Sequence, residues 1–175
     1  MRPKTAERLF FALMPDEPSC DRLTRFAERF IGEQELAITP LKPARLHIGL
    51  HRLGTRKRGT GSLLYGAKLA GQAVAAAGLT LSFDAVGRVG RGSLGLTSTD
   101  KALGRVMESL GGMLAKHGLR GVAPTIPHII LCQGRTNLKL AAITPLSVSV
   151  TGLALLRSEG TATFQVLRRW PLNRA

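Results

Sequence analysis

The chain is short of cysteine and of acidic side chains, and no apolar run in it is long enough to cross a membrane. Its two cysteines, Cys20 and Cys132, form no CxxC, and nothing near them resembles a metal cluster. That sets aside a disulfide-stapled scaffold and makes a reduced cytoplasm the expected setting, with each thiol a candidate small core residue. The opening segment, Met1 to Arg8, leads into a short apolar run without the h-region and cleavage site of a signal peptide. The expected partners therefore include no membrane, and no protein partner is evident. The GxGxxG spacing of a dinucleotide loop is absent too: Gly87-Arg88-Val89-Gly90-Arg91-Gly92 joins a strand to a strand and reads as a glycine-rich hairpin, with Arg88 and Arg91 as candidate anion contacts. Acidic residues number 11 against 25 Lys and Arg, a formal charge of +14. Such an excess steers polyanions toward the surface, nucleic acid foremost, although compositional bias alone also produces it.

At 175 residues and 44% hydrophobic content, the chain suits one globular domain, residues 1–175, built of two closely packed lobes. Arg8 to Met14 reads as a buried strand stopped by Pro15. Asp16 to Gln34 places Leu23, Phe26, Ala27, Phe30 and Ile31 on one helix face. Arg45 to Leu53 reads as a strand ending at Gly54. The loop Thr55 to Gly61, with Arg56, Lys57 and Arg58, reads as a solvated surface loop or a phosphate-backbone contact. Ser62 is the expected N-cap of an Ala-rich helix reaching Gly78. Strands are expected over Leu79 to Val86 and Ser93 to Thr97. A helix follows over Asp100 to His117, with Leu103, Val106, Met107, Leu110 and Leu114 at helical spacing. Three more strands follow: Pro127 to Cys132, Leu146 to Leu156, and Thr161 to Leu167, the last two joined at Ser158-Glu159-Gly160. Trp170-Pro171 is expected to end the ordered chain. Hairpins beside helices predict an α+β fold: two pseudo-symmetric lobes of mainly antiparallel sheet, helices outside, a cleft between.

The two halves repeat one feature. Each sets a histidine in an apolar strand segment: Leu46-His47-Ile48-Gly49-Leu50 and Pro127-His128-Ile129-Ile130-Leu131. One such histidine alone is ordinarily a core or rim residue held by a single hydrogen bond. A matched pair, one per half, is expected to meet across the cleft. Imidazole titrates near neutrality, so facing rings can share proton transfer, one accepting while the other donates. Without neighbouring Asp, Glu or Cys they make a poor metal site, and His51, four residues after His47, is too far along an extended strand to join it. No cofactor is expected.

These segments resemble the bacterial RNA 2′,3′-cyclic phosphodiesterases, also called the 2′-5′ RNA ligase family, within the two-histidine (2H) phosphoesterases. The resemblance runs from Arg8-Leu9-Phe10-Phe11-Ala12-Leu13 through both histidine segments to Phe164-Gln165-Val166-Leu167-Arg168-Arg169-Trp170-Pro171-Leu172. It implies a pseudo-twofold fold, two histidines acting as general base and acid, and metal-independent opening of a cyclic phosphate on RNA ends or cyclic nucleotides. In the family's His-x-Thr (or Ser) motifs the hydroxyls hold phosphate oxygens; here those positions are Gly49 and Ile130. The family's Arg five residues after the second histidine is Gln133 here, with Arg135 two further on. Arg52 stands five residues after His47, and strand parity places His51 on the face of His47. Arg52, Arg135 and His51 are therefore the expected replacements in phosphate binding. Three readings follow: a cyclic phosphodiesterase of full or impaired rate, a degenerate member that binds RNA ends or nucleotides without turnover, and a basic protein held to RNA by charge alone.

Overall fold

The computed structural model describes residues 8–54, 60–74, 78–159 and 163–172. Its first strand, β1 (Arg8–Pro15), gives way at once to helix α1 (Glu17–Glu33). Asp16 caps that helix, its Oδ1 accepting the Ser19 backbone N–H at 2.9 Å, while Pro18 occupies the first turn, where no amide donor is needed. Leu23, Phe26 and Ala27 form the buried stripe. A two-residue strand β2 (Thr39–Pro40) and a 3-10 turn over Pro43–Arg45 precede β3 (Ile48–Leu53). Proline fixes this turn, so His47 stands just ahead of β3 rather than at a strand centre.

Helix α2 (Thr60–Val74) begins two residues before Ser62, which falls within its first turn instead of capping it. The basic residues Arg56, Lys57 and Arg58 lie outside the described residues. Strands β4 (Leu79–Val89) and β5 (Ser93–Thr97) form the expected hairpin, with β4 three residues longer than its apolar pattern. Helix α3 (Lys101–Lys116) is capped by Asp100, which accepts the N–H of Ala102 and also that of Ser82 on β4. One side chain thus starts the helix and ties it to the sheet. Short strands β6 (Gly121–Val122), β7 (His128–Ile130) and β8 (Cys132–Gln133) follow. The chain then enters β9 (Ala141–Glu159) and β10 (Thr163–Pro171). Trp170, expected beyond the last strand, is inside β10 and buried in the core.

The long β9 organises the molecule. Its first half, up to Val150, pairs with β4, and its second half pairs with β1 on one edge and β10 on the other. The path β1-β3-β7-β5-β4-β9 therefore returns to β1, closing an antiparallel sheet around two strand groups. One seam is β9 itself, and the other is the contact between β3 and β7, where Ile48 pairs with Ile129. The fold is α+β. One face of the sheet carries the main core beneath the helices, including Phe11, Leu13, Ile48, Phe83 and Leu96. The other face carries a smaller apolar cluster of Ala12, Met14, Ala154 and Leu156, with Phe10 and Phe164 against it. Both cysteines are buried and unpaired. Burial raises the thiol pKa of each, that of Cys132 to about 11, which keeps them protonated and unreactive. Among the described residues, no helix is long and apolar enough to cross a membrane.

Candidate active site

The site is built on the β3–β7 seam. Ile48 and Ile129 pair directly and are both wholly buried toward the helices. Side chains alternate along a strand, so His47, Gly49, His128 and Ile130 belong to the opposite face. One step along the antiparallel register in each direction sets His47 across from Ile130 and Gly49 across from His128. The two histidines are then diagonal cross-strand neighbours, a relation that spans about 7–8 Å. On the far side of β7, Thr97 of β5 pairs with His128, and Gly95 with Ile130.

Both rings are held in the same way. His47 Nδ1 lies 2.8 Å from the Arg45 carbonyl oxygen, and His128 Nδ1 lies 2.8 Å from the Ile126 carbonyl oxygen. A carbonyl only accepts, so each Nδ1 carries the proton and each Nε2 is left to exchange protons with a ligand. The partner is two residues upstream in both cases. Each histidine stands at the entry to its strand, His47 just before β3 and His128 as the first residue of β7, where the carbonyl two residues upstream is within reach.

The rings differ in surroundings. His47 sits between Phe10, 5.5 Å away between ring centroids, and Phe164, edge-on at 5.1 Å. Burial pushes its pKa below the usual imidazole value; the hydrogen bond to Arg45 opposes the shift, and the charges of Arg45 and His128 add to it. His47 is therefore neutral at neutral pH, with a free Nε2 lone pair. A cavity of about 320 Å³ opens beside His128, lined by Arg88, Val89, Gly90, Thr97, Ile126 and Leu140 among others. Gly90, at the turn of the β4–β5 hairpin, is close enough that a Cβ there would lie 3.5 Å from His128 Nε2.

The residues expected to replace the lost hydroxyls separate. Between the pairs Phe10↔Arg52 and Ala12↔Gly49, two steps along β1 match three along β3. This β-bulge adds one residue to β3 and reverses its parity beyond Gly49. His51, expected on the face of His47, is turned to the helix side instead. There it is buried, with its Nε2–H donated to the Met107 carbonyl oxygen of α3 at 2.7 Å, and it lines a separate cavity of about 350 Å³ with Met107, Glu108 and Gly111. His51 is thus removed from the site. The same bulge brings the exposed Arg52 opposite Phe10, on the site face. Arg135 lies across the seam at the hairpin, where it and Arg88 flank Gly92. Among the described residues, no carboxylate forms an ion pair with Arg52, Arg88 or Arg135. Thr97 carries no motif of its own; its place beside His128 follows from strand pairing between distant segments.

Neither a protein-family model nor a curated protein matches the chain. Solved structures do. Escherichia coli LigT in apo form superposes with a TM-score of 0.70 at 23% identity, covering 97% of this chain and 99% of that one. The Thermus thermophilus protein TT0787 gives 0.72 at 22% identity over 95% and 98%, and a protein described as a phosphoesterase gives 0.70 at 25% over 96% and 99%. The alignments run nearly the full length of both partners. The chain therefore has the α+β fold of E. coli LigT and of that phosphoesterase, and it carries His47 and His128 on neighbouring strands of it.

Proposed function

We propose that this chain is a metal-independent 2′,3′-cyclic phosphodiesterase acting on RNA ends or small cyclic nucleotides. The observation that carries the proposal is the matched anchoring of His47 and His128 on one sheet face, each with Nδ1 committed to a backbone carbonyl and Nε2 left over. His47, neutral through burial, takes a proton from water as the water oxygen bonds to phosphorus. The P–O3′ bond breaks in line, and His128, protonated, delivers its proton to the departing O3′, leaving a 2′-phosphate. Each ring ends in the other's starting state, and solvent exchange resets the pair. Neutral His47 follows from its lowered pKa; the acid role of His128 is the complement. Arg52, on the site face, supplies positive charge near the phosphate. LigT structures hold 3′-AMP, ATP and NADP+, which supports a nucleotide as the ligand class.

A second reading is supported by Gly49 and Ile130. Each lost donor costs about 2.7–4 kcal/mol of transition-state stabilisation, so the chain would bind RNA ends or nucleotides with little turnover. One assay separates the two: adenosine 2′,3′-cyclic phosphate with EDTA present, followed by phosphorus NMR. A 2′-phosphate product that disappears in both His47→Ala and His128→Ala supports the enzyme. Binding without product, in a folded protein, supports the second reading.

A further inference from the structure

The β4–β5 hairpin brings together groups that sequence distance hides. Arg88 leaves β4 just before the turn, and Arg135 arrives from the segment after β8. Their Nε atoms both lie 3.8 Å from the point a Cβ of Gly92 would occupy. Gly92 has φ +109°, a backbone conformation that favours glycine. The Thr136 N–H donates to the Gly92 carbonyl oxygen at 2.8 Å, fixing the Arg135 segment to the turn. Two guanidinium groups are thus drawn to one glycine with no carboxylate between them among the described residues. Like charges at such spacing repel, and a bound anion removes the repulsion.

The cluster is tied to the proposed active site by the same turn. Gly90, two residues before Gly92, faces His128 Nε2, and two residues of chain span at most about 7 Å. Arg88 also lines the cavity beside His128, whose other walls include the apolar side chains of Val89, Ile126 and Leu140. Ile126 and Leu140 are 50% and 44% exposed and offer apolar surface on which a flat ring could rest. His128, these apolar side chains and the two arginines thus lie around one turn, where the two phosphates and the base of a single nucleotide would each meet a matching group.

We infer that Arg88 and Arg135 bind a second phosphate, 5′ to the nucleotide whose cyclic phosphate lies at His47 and His128. The favoured substrate is then an RNA terminus or a 5′-phosphorylated nucleotide rather than a nucleoside cyclic phosphate. The inference rests on the proposed site, but its test does not require turnover. Calorimetry is run with adenosine 3′,5′-bisphosphate and with 3′-AMP, on the parent protein and on Arg88→Gln/Arg135→Gln. Two charge-assisted contacts, weakened because both arginines are exposed to solvent, predict that the bisphosphate binds about ten- to hundredfold tighter to the parent. The ratio should fall close to one in the double variant. Arg25→Gln/Arg105→Gln, on exposed helix positions, removes equal charge and should keep the parental ratio. Equal affinities in the parent, or a ratio that survives the Arg88/Arg135 variant, would overturn the inference, as would an equal collapse in the control. If 3′-AMP itself fails to bind while the bisphosphate does, the histidine site is at fault and the arginine site stands. Where turnover is measurable, the same ratio should appear in kcat/KM for adenosine 2′,3′-cyclic phosphate with and without a 5′-phosphate.

Discussion

Restoring one hydroxyl at Gly49 is the sharpest test of the site. Gly49 lies in β3 between Ala12 of β1 and, one step along the register, His128 of β7. No heavy atom comes within 4 Å of the position its Cβ would take, so a branched side chain enters open space on the histidine face. Gly49→Thr should thus place a donor where charge develops during displacement. A donor of this kind contributes about 2.7–4 kcal/mol to the transition state, or about 10²–10³ in kcat. Stability should rise as well, because a strand glycine is replaced by a residue suited to extended backbone, a gain of about 0.5–1 kcal/mol. Gly49→Val is the necessary control, matching threonine in shape without the hydroxyl. Hydrolysis of adenosine 2′,3′-cyclic phosphate is measured for the three proteins alongside thermal melts. Both variants should melt at or above the parent, and threonine alone should gain rate. If threonine and valine proteins fold and turn over alike, position 49 does not address the reacting phosphate and the assignment of the face fails.

Gly90→Ala should lower kcat/KM sharply, since its methyl would stand 3.5 Å from His128 Nε2; φ +54° adds about 1–2 kcal/mol of destabilisation, and a folded variant of parental activity would contradict the placement. Because His47 titrates below the usual imidazole value through burial, the acid limb of kcat/KM should lie below about pH 6.5. Phe164→Ala, which strips one ring from His47, should move that limb upward; an unmoved limb would assign it to another group. The same shift predicts a loss of stability as pH falls through the unfolded-state imidazole pKa, since the unfolded chain binds a proton that the half-buried His47 resists. His47→Phe should flatten that part of the melt-versus-pH curve. Nucleotide affinity should fall as salt rises, given the exposed Arg52, Arg88 and Arg135, with slope in proportion to the phosphates engaged; salt-independent binding would point to stacking or neutral hydrogen bonds.

Much of this protein was determined by local sequence. The apolar stripe of α1, the spacing of α3, and the two histidines in apolar segments each report a local preference of the backbone, and local preferences are legible one segment at a time. Strand ends were less so. β9 extends beyond its apolar stretch because β4, β1 and β10 pair with it in turn, and β10 takes in Trp170 because β9 continues beside it. Pairing partners, not side-chain pattern, decide how far a strand runs. The phosphate-binding candidates show the limit most clearly. Counting by twos from His47 places His51 in the site, and a bulge between Gly49 and Arg52 shifts the count, burying His51 against Met107 and turning Arg52 to the face of Phe10. A bulge arises from the match between two strands, so neither strand announces it. Arg88 and Arg135 meet at Gly92, and Thr97 stands beside His128, for the same reason: closure of one sheet around β9 and the β3–β7 seam brings together residues that the chain itself keeps far apart.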